Sequence, residues 1–444
     1  RYNSPPADNE VTQLDINVGI VAQNTYGIPP TTTFDYIKKP VNSLSSVNDH
    51  MAFSDHANFE ISDVEFNEKL KRIVYLGKKG SNGLVRVQKD DLTFYPDLLI
   101  AGVANCGGST DFQFSQIAFG VLENHVYISG ICDQSGPIRP FVMRLIDDGS
   151  SISIDTTYAS ATDNRFVYPV SDIIATNEVP IAVDSMGRVV GAFDYTGGGS
   201  QEGVVFRVKE DGSGLDGSNF NGVGYRSFAN LINLGADDDI TLSSIQVDSD
   251  DHIIVSGSVN TDRDGNIFPL ILAVTADGSS DDARTDSTYS LYPANAKRLK
   301  KTPISSLGST TFIYAVEFND GGNDRVGLCE ISWNGTSLSS PTCNPQNDTN
   351  SIDFKVKAID FDYAGRVILS GEDITNNRGY AFRTDRYGYF NLSGAAPTPP
   401  TEYSEVDVSG NSKFFKMIPW EDGSYFFFGN AAGANQDAAY WNIQ

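Results

Sequence analysis

Short runs of alternating apolar and polar residues, separated by turns rich in Asp and Gly, occupy most of the chain. Three such segments align with one another: residues 183–193, 247–257 and 361–371. Each starts with an apolar residue and Asp, continues through a polar turn, and ends in an alternating run. Alternation with period two predicts half-buried β-strands, and Asp-Gly turns favour hairpins. Helical spacing is not sustained anywhere, so the pattern predicts an all-β protein.

These segments belong to a longer internal repeat. Counting looser copies, the repeats end at residues 77, 130, 193, 257, 318, 371 and 429, about 59 residues apart on average. Most copies continue into a further strand, as in residues 83–91, 140–150, 203–213, 270–279 and 379–388. A period of this length with three or four short strands matches one blade of a β-propeller. The sequence therefore predicts a seven-bladed β-propeller.

The N-terminal region predicts how the ring closes. Leu14, Ile16, Val18 and Ile20 alternate with polar residues, whereas the last repeat ends without room for a fourth strand. We expect residues 14–20 to complete the last blade beside residues 414–444, because a closed ring leaves no exposed sheet edge. Residues 1–10 are then a tail, and residues 11–444 form a single propeller domain. Residues 23–59 are a long connection or an insertion within it.

The repeat resembles a known family. The repeat begins with an apolar residue, Asp, Gly-Arg and a strand. It continues with a second strand that contains an apolar residue and Arg, then Asp-Gly-Ser, and then a later Asp and Phe. This order is best preserved in residues 183–190 with 206–220, and again in residues 247–257 with 274–282. It is similar to the bacterial delta-60 β-propeller repeat and its SBBP-like relatives. The copies are degenerate, since Phe193 and Phe318 replace the Gly that ends the strand. The resemblance implies a propeller of exported or cell-surface bacterial proteins, and no particular reaction.

Several polar residues recur at fixed positions of the repeat. They are Asp184, Asp248 and Asp362 at the turn, and Arg86, Arg144, Arg207 and Arg383 on the third strand. A residue needed once for chemistry would not recur in successive blades. We therefore expect structural roles, with Asp accepting hydrogen bonds from turn amides and Arg pairing within the sheet.

The net charge of the chain limits the kinds of partner that it can bind. The chain has 57 acidic and 32 basic residues, which gives a formal charge of −25. Such a surface repels phosphate backbones, so nucleic acid is excluded as a partner. No apolar stretch approaches the roughly 20 residues that span a bilayer, so membrane insertion is not expected. The composition does not indicate an oligomeric state.

Four cysteines fall in two local groups. Cys106 lies near Cys132, and Cys329 lies near Cys343, without the spacing of a metal finger. Two short-range disulfides in an exported protein are one interpretation, each stabilising by about 3 kcal/mol. Four buried thiols in a cytosolic protein are the alternative. The disulfide interpretation predicts an extracellular, cell-surface or periplasmic location.

One loop has the residue types of a calcium site. Asn260, Asp262 and Asp264 alternate and are followed by Gly265 and Asn266, like the first half of a calcium-binding loop. The carboxylate expected at the twelfth position is missing, because Ile271 stands there. The segment is therefore either a weak calcium site or a plain Asp-Gly hairpin. A second group, at residues 49–56, contains two His and two Asp that are either solvated or hold a transition metal.

Catalytic motifs are missing from the sequence. It has no GxSxG elbow, HExxH, Walker loop or GxGxxG, and its four His leave carboxylates as the available general bases. The sequence does not select among the carboxylates, so the catalytic residues are unknown. We expect a binding or structural propeller that contacts a protein or glycan through its blade-top loops, with calcium as a candidate cofactor. The alternatives are a hydrolase or lyase acting on a carbohydrate or lactone in the central funnel, and a subunit of a larger surface assembly.

Overall fold

β-Strands make up the regular secondary structure of the part of the chain that the structure describes. The structure, a computed structural model, describes residues 47–52, 59–90, 93–100, 112–133, 138–159, 164–169, 178–197, 200–228, 239–261, 266–285, 294–302, 309–320, 323–346, 353–362, 366–375, 378–383, 403–404, 413–419, 425–431 and 437–443. No helix that could cross a membrane occurs within these ranges.

The described strands form seven antiparallel sheets. The first three contain β2 to β5 (Phe59–Asn67, Arg72–Lys79, Asn82–Lys89, Leu98–Ile100), β6 to β10 (Phe112–Phe119, His125–Asp133, Ile138–Asp147, Ile152–Ile154, Arg165–Val167), and β11 to β14 (Ile181–Val183, Val189–Gly197, Ser200–Val208, Tyr225–Phe228). The next three contain β15 to β18 (Asp239–Val247, Ile253–Thr261, Asn266–Val274, Asp281–Thr285), β19 to β22 (Ala294–Lys301, Thr310–Asp320, Asn323–Trp333, Thr342–Gln346), and β23 to β26 (Phe354–Phe361, Val367–Asp373, Arg378–Arg383, Tyr403–Ser404). The last contains β27 to β29 (Lys413–Pro419, Tyr425–Ala431, Asp437–Ile443) and β1 (Val47–Ala52).

The sheets follow one another as the blades of a β-propeller. In each sheet the first strand in chain order, apart from β1, lies at one edge, and we call these seven the inner strands: β2, β6, β11, β15, β19, β23 and β27. Each inner strand contacts the inner strand of the next sheet, and β27 contacts β2. Apolar clusters fill the spaces between neighbouring sheets; one of them joins Val74 and Val85 to Ile128 and Phe141. The all-β propeller prediction is confirmed.

The strand beside β29 differs from the one that the sequence selected. β1 pairs antiparallel with β29, with His50 opposite Trp441. The sequence assigned residues 47–52 to a connection or insertion, and it assigned the closing strand to residues 14–20, which lie outside the described residues. The physical reason is that β1 carries consecutive polar residues, Asn48 to His50, whereas residues 14–20 alternate. The alternation of apolar and polar residues therefore favoured residues 14–20 over residues 47–52.

A bulge in the inner strands explains the recurring strand-ending glycine. Pairing of β15 with β16 shifts between Leu242 and Ser244, directly opposite Gly257. A Cβ added at Gly257 would lie 1.9 Å from the carbonyl oxygen of Thr241. Gly371, opposite the bulge of β23, has the same 1.9 Å approach to the oxygen of Lys355. Only glycine leaves room for this backbone approach.

The recurring Asp residues cap turns, as predicted. Asp184 Oδ1 accepts hydrogen bonds from the backbone N–H groups of Met186 and Arg188, both at 3.0 Å. Its Oδ2 accepts from Arg188 Nε at 2.7 Å. Asp362 accepts from the Arg366 backbone in the same way, at 2.9 Å. These carboxylates thus satisfy the amides of the first hairpin in their sheets.

Three of the four recurring Arg residues form what we call the Arg–Asp clamp: Arg86 with Asp97, Arg144 with Asp155, and Arg207 with Asp216. The side chain of the fourth, Arg383, is not described. Arg207, 1 % exposed, is bonded to Asp216 Oδ2 at 3.1 Å through Nε, and its guanidinium lies 4.8 Å from the centre of the Phe220 ring. Arg144 bonds Asp155 at 2.6 Å and lies 4.8 Å from the Tyr158 ring. Each clamp thus neutralises a buried cation with a carboxylate and covers it with an aromatic ring.

Two of the clamps also reach the next sheet. Arg144 NH1 donates to the carbonyl oxygen of Glu210 at 3.0 Å, and Arg207 NH1 donates to that of Ala276. The Tyr158 ring packs against Gly212, where an added Cβ would lie 2.8 Å from the ring. Gly212 has a φ of +71°, so both its conformation and its contact favour glycine. The Asp-Gly turn of one sheet is therefore a docking surface for the clamp of the preceding sheet.

A disulfide joins the outer strands of the fifth sheet. Cys329 on β21 lies directly opposite Cys343 on β22, and their sulfur atoms are bonded, with Cα atoms 4.0 Å apart. Cys132 on β7 is also disulfide-bonded. Its predicted partner, Cys106, lies outside the described residues. The prediction that the chain contains a disulfide is confirmed.

Loss of the clamp carboxylate should destabilise the fold. Asp216→Asn removes the nearer of two carboxylates from the buried Arg207 cation, since Asp184 Oδ2 lies 4.0 Å from its NH1, and we expect a loss of about 3 kcal/mol in the free energy of unfolding. The matched control is Asp90→Asn, because Asp90 is 60 % exposed and lies 3.6 Å from Arg72; we expect less than about 1 kcal/mol. Urea unfolding of both variants measures this, and equal midpoints for the two would contradict a structural role of the clamp.

Candidate functional site

The inner strands carry different side chains at one equivalent position in every sheet. This position immediately precedes a buried apolar residue: Val64, Ile117, Ile181, Ile245, Leu299, Ile359 or Met417. Its occupants are Asp63, Gln116, Pro180, Ser244, Arg298, Ala358 and Lys416. The inner strands of a propeller line its central channel. In three sheets the side chain at this position binds the next inner strand: Asp63 accepts from the Ile117 N–H, Gln116 from the Ile181 N–H and Ser244 from the Leu299 N–H. The residue type therefore varies from sheet to sheet, and Arg298 and Lys416 are the two cations at this position.

One side of the channel holds a closely connected charge network. Lys416 Nζ lies 3.0 Å from Glu65 Oε2 and 3.1 Å from Asp360 Oδ1. Lys300 Nζ also reaches Asp360 Oδ1, at 3.2 Å. Burial alone would lower the pKa of the Lys416 ammonium, but Asp360 and Glu65 outweigh it and raise that pKa. Lys416 is therefore a fully compensated cation.

Asp63 is the carboxylate of this network whose charge changes near neutral pH. Its Oδ2 accepts a hydrogen bond from the Ile117 N–H at 2.8 Å. Burial and the neighbouring Glu65 raise the pKa of Asp63 to about 7, against the opposing effects of the Ile117 amide, Lys416 and Arg298. Asp63 therefore exchanges a proton in the range where a general acid or base works.

The same inner strands, β19 and β23, also carry three cations with weaker compensation. Arg298 NH2 lies 3.8 Å from Glu178 Oε1, which joins the fifth sheet to the segment entering the third sheet across the channel. Lys297 Nζ lies 3.4 Å from Ser243 Oγ. Lys357 Nζ lies 5.9 Å from the centre of the Phe415 ring. We call Lys297, Arg298 and Lys357 the cation cluster.

The pKa values around the cation cluster reflect burial and charges of both signs. Burial and the nearby Arg298 lower the pKa of Lys357, while Glu178, Glu317 and Glu372 act in the opposite direction. Burial would raise the pKa of Glu178, but Arg298, Lys297 and Lys357 outweigh it and lower that pKa. Burial raises the pKa of Glu317 on β20, whose Oε1 accepts from the Val356 N–H at 2.7 Å. Asp63 and Glu317 are thus two carboxylates with raised pKa values.

Basic residues are concentrated in this wall. β19, β23 and β27 together carry eight of the 32 Lys and Arg residues of the chain and a single acidic residue, Asp360. The chain as a whole has a charge of −25. These three strands are therefore basic in an otherwise acidic chain, which favours anionic groups beside them, whereas the inner strand β2 carries Asp63 and Glu65.

The loop predicted to bind calcium connects β16 to β17. Asn260 pairs with Ile267, and Thr261 pairs with Asn266, so the segment between them is a hairpin loop. Asp262 and Asp264 lie outside the described residues, and the side chain of Asn266 is not described. Asn260 Oδ1 is buried and accepts no hydrogen bond from the described residues. The structure therefore leaves the calcium prediction open.

A group of possible metal ligands that the sequence did not select lies at the first turn of the fourth sheet. Asp248, Asp250 and His252 bring their ligand atoms within 4.8 Å of one another. His252 Nδ1 lies 2.9 Å from Asp248 Oδ2, in the place taken by Arg188 and Arg366 in the third and sixth sheets. The turn is thus the recurring capped turn with His in place of Arg. Of the other His and Asp group, residues 55 and 56 lie outside the described part, and the side chains of Asp49 and His50 are not described.

Sequence reasoning missed the residues of the channel. Asp63, Arg298, Lys357 and Lys416 have no motif around them, and each is one charged residue among many. The signal that could have found them is an alignment of the seven inner strands by their buried apolar residues. That alignment depends on the bulge, which is a feature of the backbone.

Comparison with known proteins gives solved structures of low similarity to this chain. The sequence matches no protein family model and no curated protein. Polysaccharide lyase Uly1 superposes with a TM-score of 0.49 at 9 % identity over 90 % of this chain and 99 % of the lyase. PorZ, a surface component of the type-IX secretion system of Porphyromonas gingivalis, gives 0.46 at 12 % over 85 % of this chain and 46 % of PorZ. The propeller domain of the Trilobed protease from Pyrococcus furiosus gives 0.45 at 7 % over 88 % and 94 %. These similarities assign no activity to the chain.

Protonation of Asp63 should make stability depend on pH. The pKa of Asp63 is about 7 in the folded protein and close to its ordinary value of 3.8 in the unfolded chain, so the folded state binds more protons between these pH values. Stability contributed by this group is therefore full below pH 4 and is lost as the pH rises through 7, by at most roughly 4 kcal/mol. Asp63→Asn, which keeps the acceptor for Ile117, should flatten this slope in urea unfolding at pH 4.5 to 7.5.

The control for this experiment is Asp148→Asn. Turn amides and hydroxyls of Ser150 and Ser151 lower the pKa of Asp148 to about 2, so it is ionised in both states across the same range. Asp148→Asn should leave the slope unchanged. An unchanged slope in Asp63→Asn as well would show that Asp63 does not carry the proton.

Proposed function

We propose that the protein is an exported or cell-surface binding propeller that recognises a protein or glycan at its channel and blade-top loops. The observation that carries this proposal is the contrast between the Arg–Asp clamps, which recur in the first three sheets, and the unrepeated cations Arg298 and Lys416 on the inner strands. Recurrence is expected of residues that build the ring. A charged residue that occurs in a single sheet and lies at the channel is expected of a site that recognises a ligand.

The proposal includes a seven-bladed ring closed by an N-terminal strand. It is supported by the seven sheets, by the contact of β27 with β2, and by the pairing of β1 with β29. Closure in this way would remove the unpaired edges that promote aggregation. The resemblance of the repeat to the delta-60 family is consistent with such a ring.

An extracellular, cell-surface or periplasmic location is part of the same proposal. The Cys329–Cys343 disulfide supports it, since disulfides persist in oxidising compartments. The delta-60 resemblance, a family of exported bacterial proteins, points the same way. Acidic surface charge is compatible with such a setting because it disfavours nucleic acid.

A binding experiment on the whole chain tests the proposal. We expect the protein to retain a subset of glycans or proteins on an array, and Arg298→Ala with Lys357→Ala to reduce that retention at least tenfold by removing cations from the channel. Lys209→Ala, an exposed cation on a turn of the third sheet, is the matched control and should bind like the wild type. Unchanged binding in the channel variant would place recognition elsewhere.

An enzyme acting on a carbohydrate or lactone is the second candidate. The observation in its favour is the pair of carboxylates with raised pKa values, Asp63 and Glu317. One of them would have to transfer a proton at the substrate, and Asp63 has the pKa for this role near neutral pH. Product formation from a glycan that disappears in Asp63→Asn would favour the enzyme over the binding protein.

Calcium binding in the loop of Asn260, Asp262, Asp264 and Asn266 remains a proposal. It is supported by the alternation of hard oxygen ligands and by the buried Asn260 Oδ1, which has no hydrogen-bond donor among the described residues. A site without the twelfth-position carboxylate would be weak, with a Kd of roughly 10⁻⁴ to 10⁻³ M. Such a site would fill outside a cell.

Calcium should then stabilise the folded protein. At about ten times Kd the gain is roughly 1–2 kcal/mol, because the ion binds the folded state alone. Thermal melts with millimolar calcium and with chelator measure it for the wild type and for Asp262→Ala with Asp264→Ala. A plain hairpin is indicated if the wild type gains nothing or the double variant gains equally.

A further inference from the structure

We propose that the cation cluster of Lys297, Arg298 and Lys357 binds the oxyanion of an acidic sugar, a carboxylate or a sulfate ester, inside the channel. The inference rests on the proposed binding function and names its ligand class. It concerns one wall of the channel, formed by the neighbouring inner strands β19 and β23.

Backbone geometry places Arg298 in this wall. Arg298 lies at the bulge of β19, where pairing shifts between Lys297 and Leu299, and its φ is +43°. A left-handed conformation is costly for a residue with a Cβ and is held only where the surrounding structure requires it. The bulge turns Arg298 towards Glu178 across the channel while Leu299 stays buried. Two cations of one strand, Lys297 and Arg298, thus share the channel with Lys357.

The cluster lacks the acceptors that these donors require. Arg298 Nε is buried and donates no hydrogen bond within the described part of the chain. Its ion pair with Glu178 is long, at 3.8 Å. Lys357 forms no hydrogen bond or ion pair with a described residue, and its nearest partner is the Phe415 ring. Lys416, in the same channel, contacts two carboxylates, so full compensation is available elsewhere in this fold and is missing here.

A ligand oxyanion would supply the missing acceptors. The planar guanidinium of Arg binds carboxylate or sulfate through two parallel hydrogen bonds, and Lys ammonium groups add charge without fixed geometry. The buried Nε–H of Arg298 is one of the two donors that such a fork requires. Anion binding would also relieve the mutual repulsion that contributes to the lowered pKa of Lys357.

The remaining channel side chains suit the ring and hydroxyl groups of a sugar. Ser62 lies in the equivalent stretch of β2, and its hydroxyl group can exchange hydrogen bonds with sugar hydroxyl groups. The half-buried Phe415 ring, beside Lys357, offers an apolar surface. An acidic peptide would use the cations but would leave these hydroxyl and aromatic groups without a matching partner, which is why we favour the sugar.

Calorimetric titration of the full chain with defined probes tests the proposal. The probes are trigalacturonate, its methyl ester, a sulfated disaccharide, neutral maltotriose and a hexaglutamate peptide. We expect trigalacturonate or the sulfated disaccharide to bind, and whichever binds identifies the oxyanion. The ester and maltotriose should bind at least tenfold more weakly, and raising the salt from 50 to 300 mM should weaken binding.

Variants locate the site. Arg298→Gln and Lys357→Gln should each raise the Kd of the bound probe at least tenfold, whereas the matched control Lys209→Gln should not change it. Urea unfolding of each variant verifies that it folds, and Arg298→Lys provides a second test, because it keeps the charge and loses the fork. Equal affinity in wild type, Arg298→Gln and Lys357→Gln would overturn the site.

The outcomes separate this inference from the proposed function. Preferential binding of maltotriose, with no effect of charge, would overturn the oxyanion and leave a glycan-binding propeller. Tighter binding of hexaglutamate than of either acidic sugar would overturn the sugar and leave a protein-binding propeller. Failure of every probe here overturns the ligand class, and failure of the array experiment as well would overturn the binding function itself.

Discussion

The buried ion pair between a third-strand Arg and the Asp that follows its turn is the interaction that holds the first three sheets together. Arg207 is held by Asp216, covered by Phe220, and hydrogen-bonded to the next sheet at Ala276. A buried cation is unfavourable unless it is paired, so the aromatic ring, the carboxylate and the neighbouring turn have to occur together. This requirement explains why Arg, Asp-Gly, Asp and an aromatic residue recur as a group.

Structural and variable residues occupy different parts of the repeat. Clamps occur in the first three sheets, and those of the second and third sheets also bind the next sheet. On the inner strands, the residue before the buried apolar residue differs between sheets, and Asp63, Gln116 and Ser244 each accept a hydrogen bond from the N–H of the next inner strand. Arg298 and Lys416 occupy the same position but form ion pairs instead.

Sequence reasoning reached the fold because repetition and alternation are local patterns. The Asp184 turn and the Cys329–Cys343 pair followed from such patterns, as did the all-β propeller. It did not select β1, because the polar residues of β1 do not alternate with apolar ones and its strand conformation is evident only from its pairing with β29. Nor did it find the channel, because Arg298 and Glu178 lie 120 residues apart in the sequence and meet only across the ring. Contacts of this kind have no local signature.

The most direct measurement of the central claim is a crystal structure of the protein soaked with trigalacturonate or a sulfated disaccharide. The account predicts an oxyanion between Lys297, Arg298 and Lys357, with the Arg207–Asp216 clamp unchanged between free and bound forms. Ligand density on an outer face of the sheets with an empty channel would contradict it. So would a channel in which Arg298 and Lys357 point away from the axis.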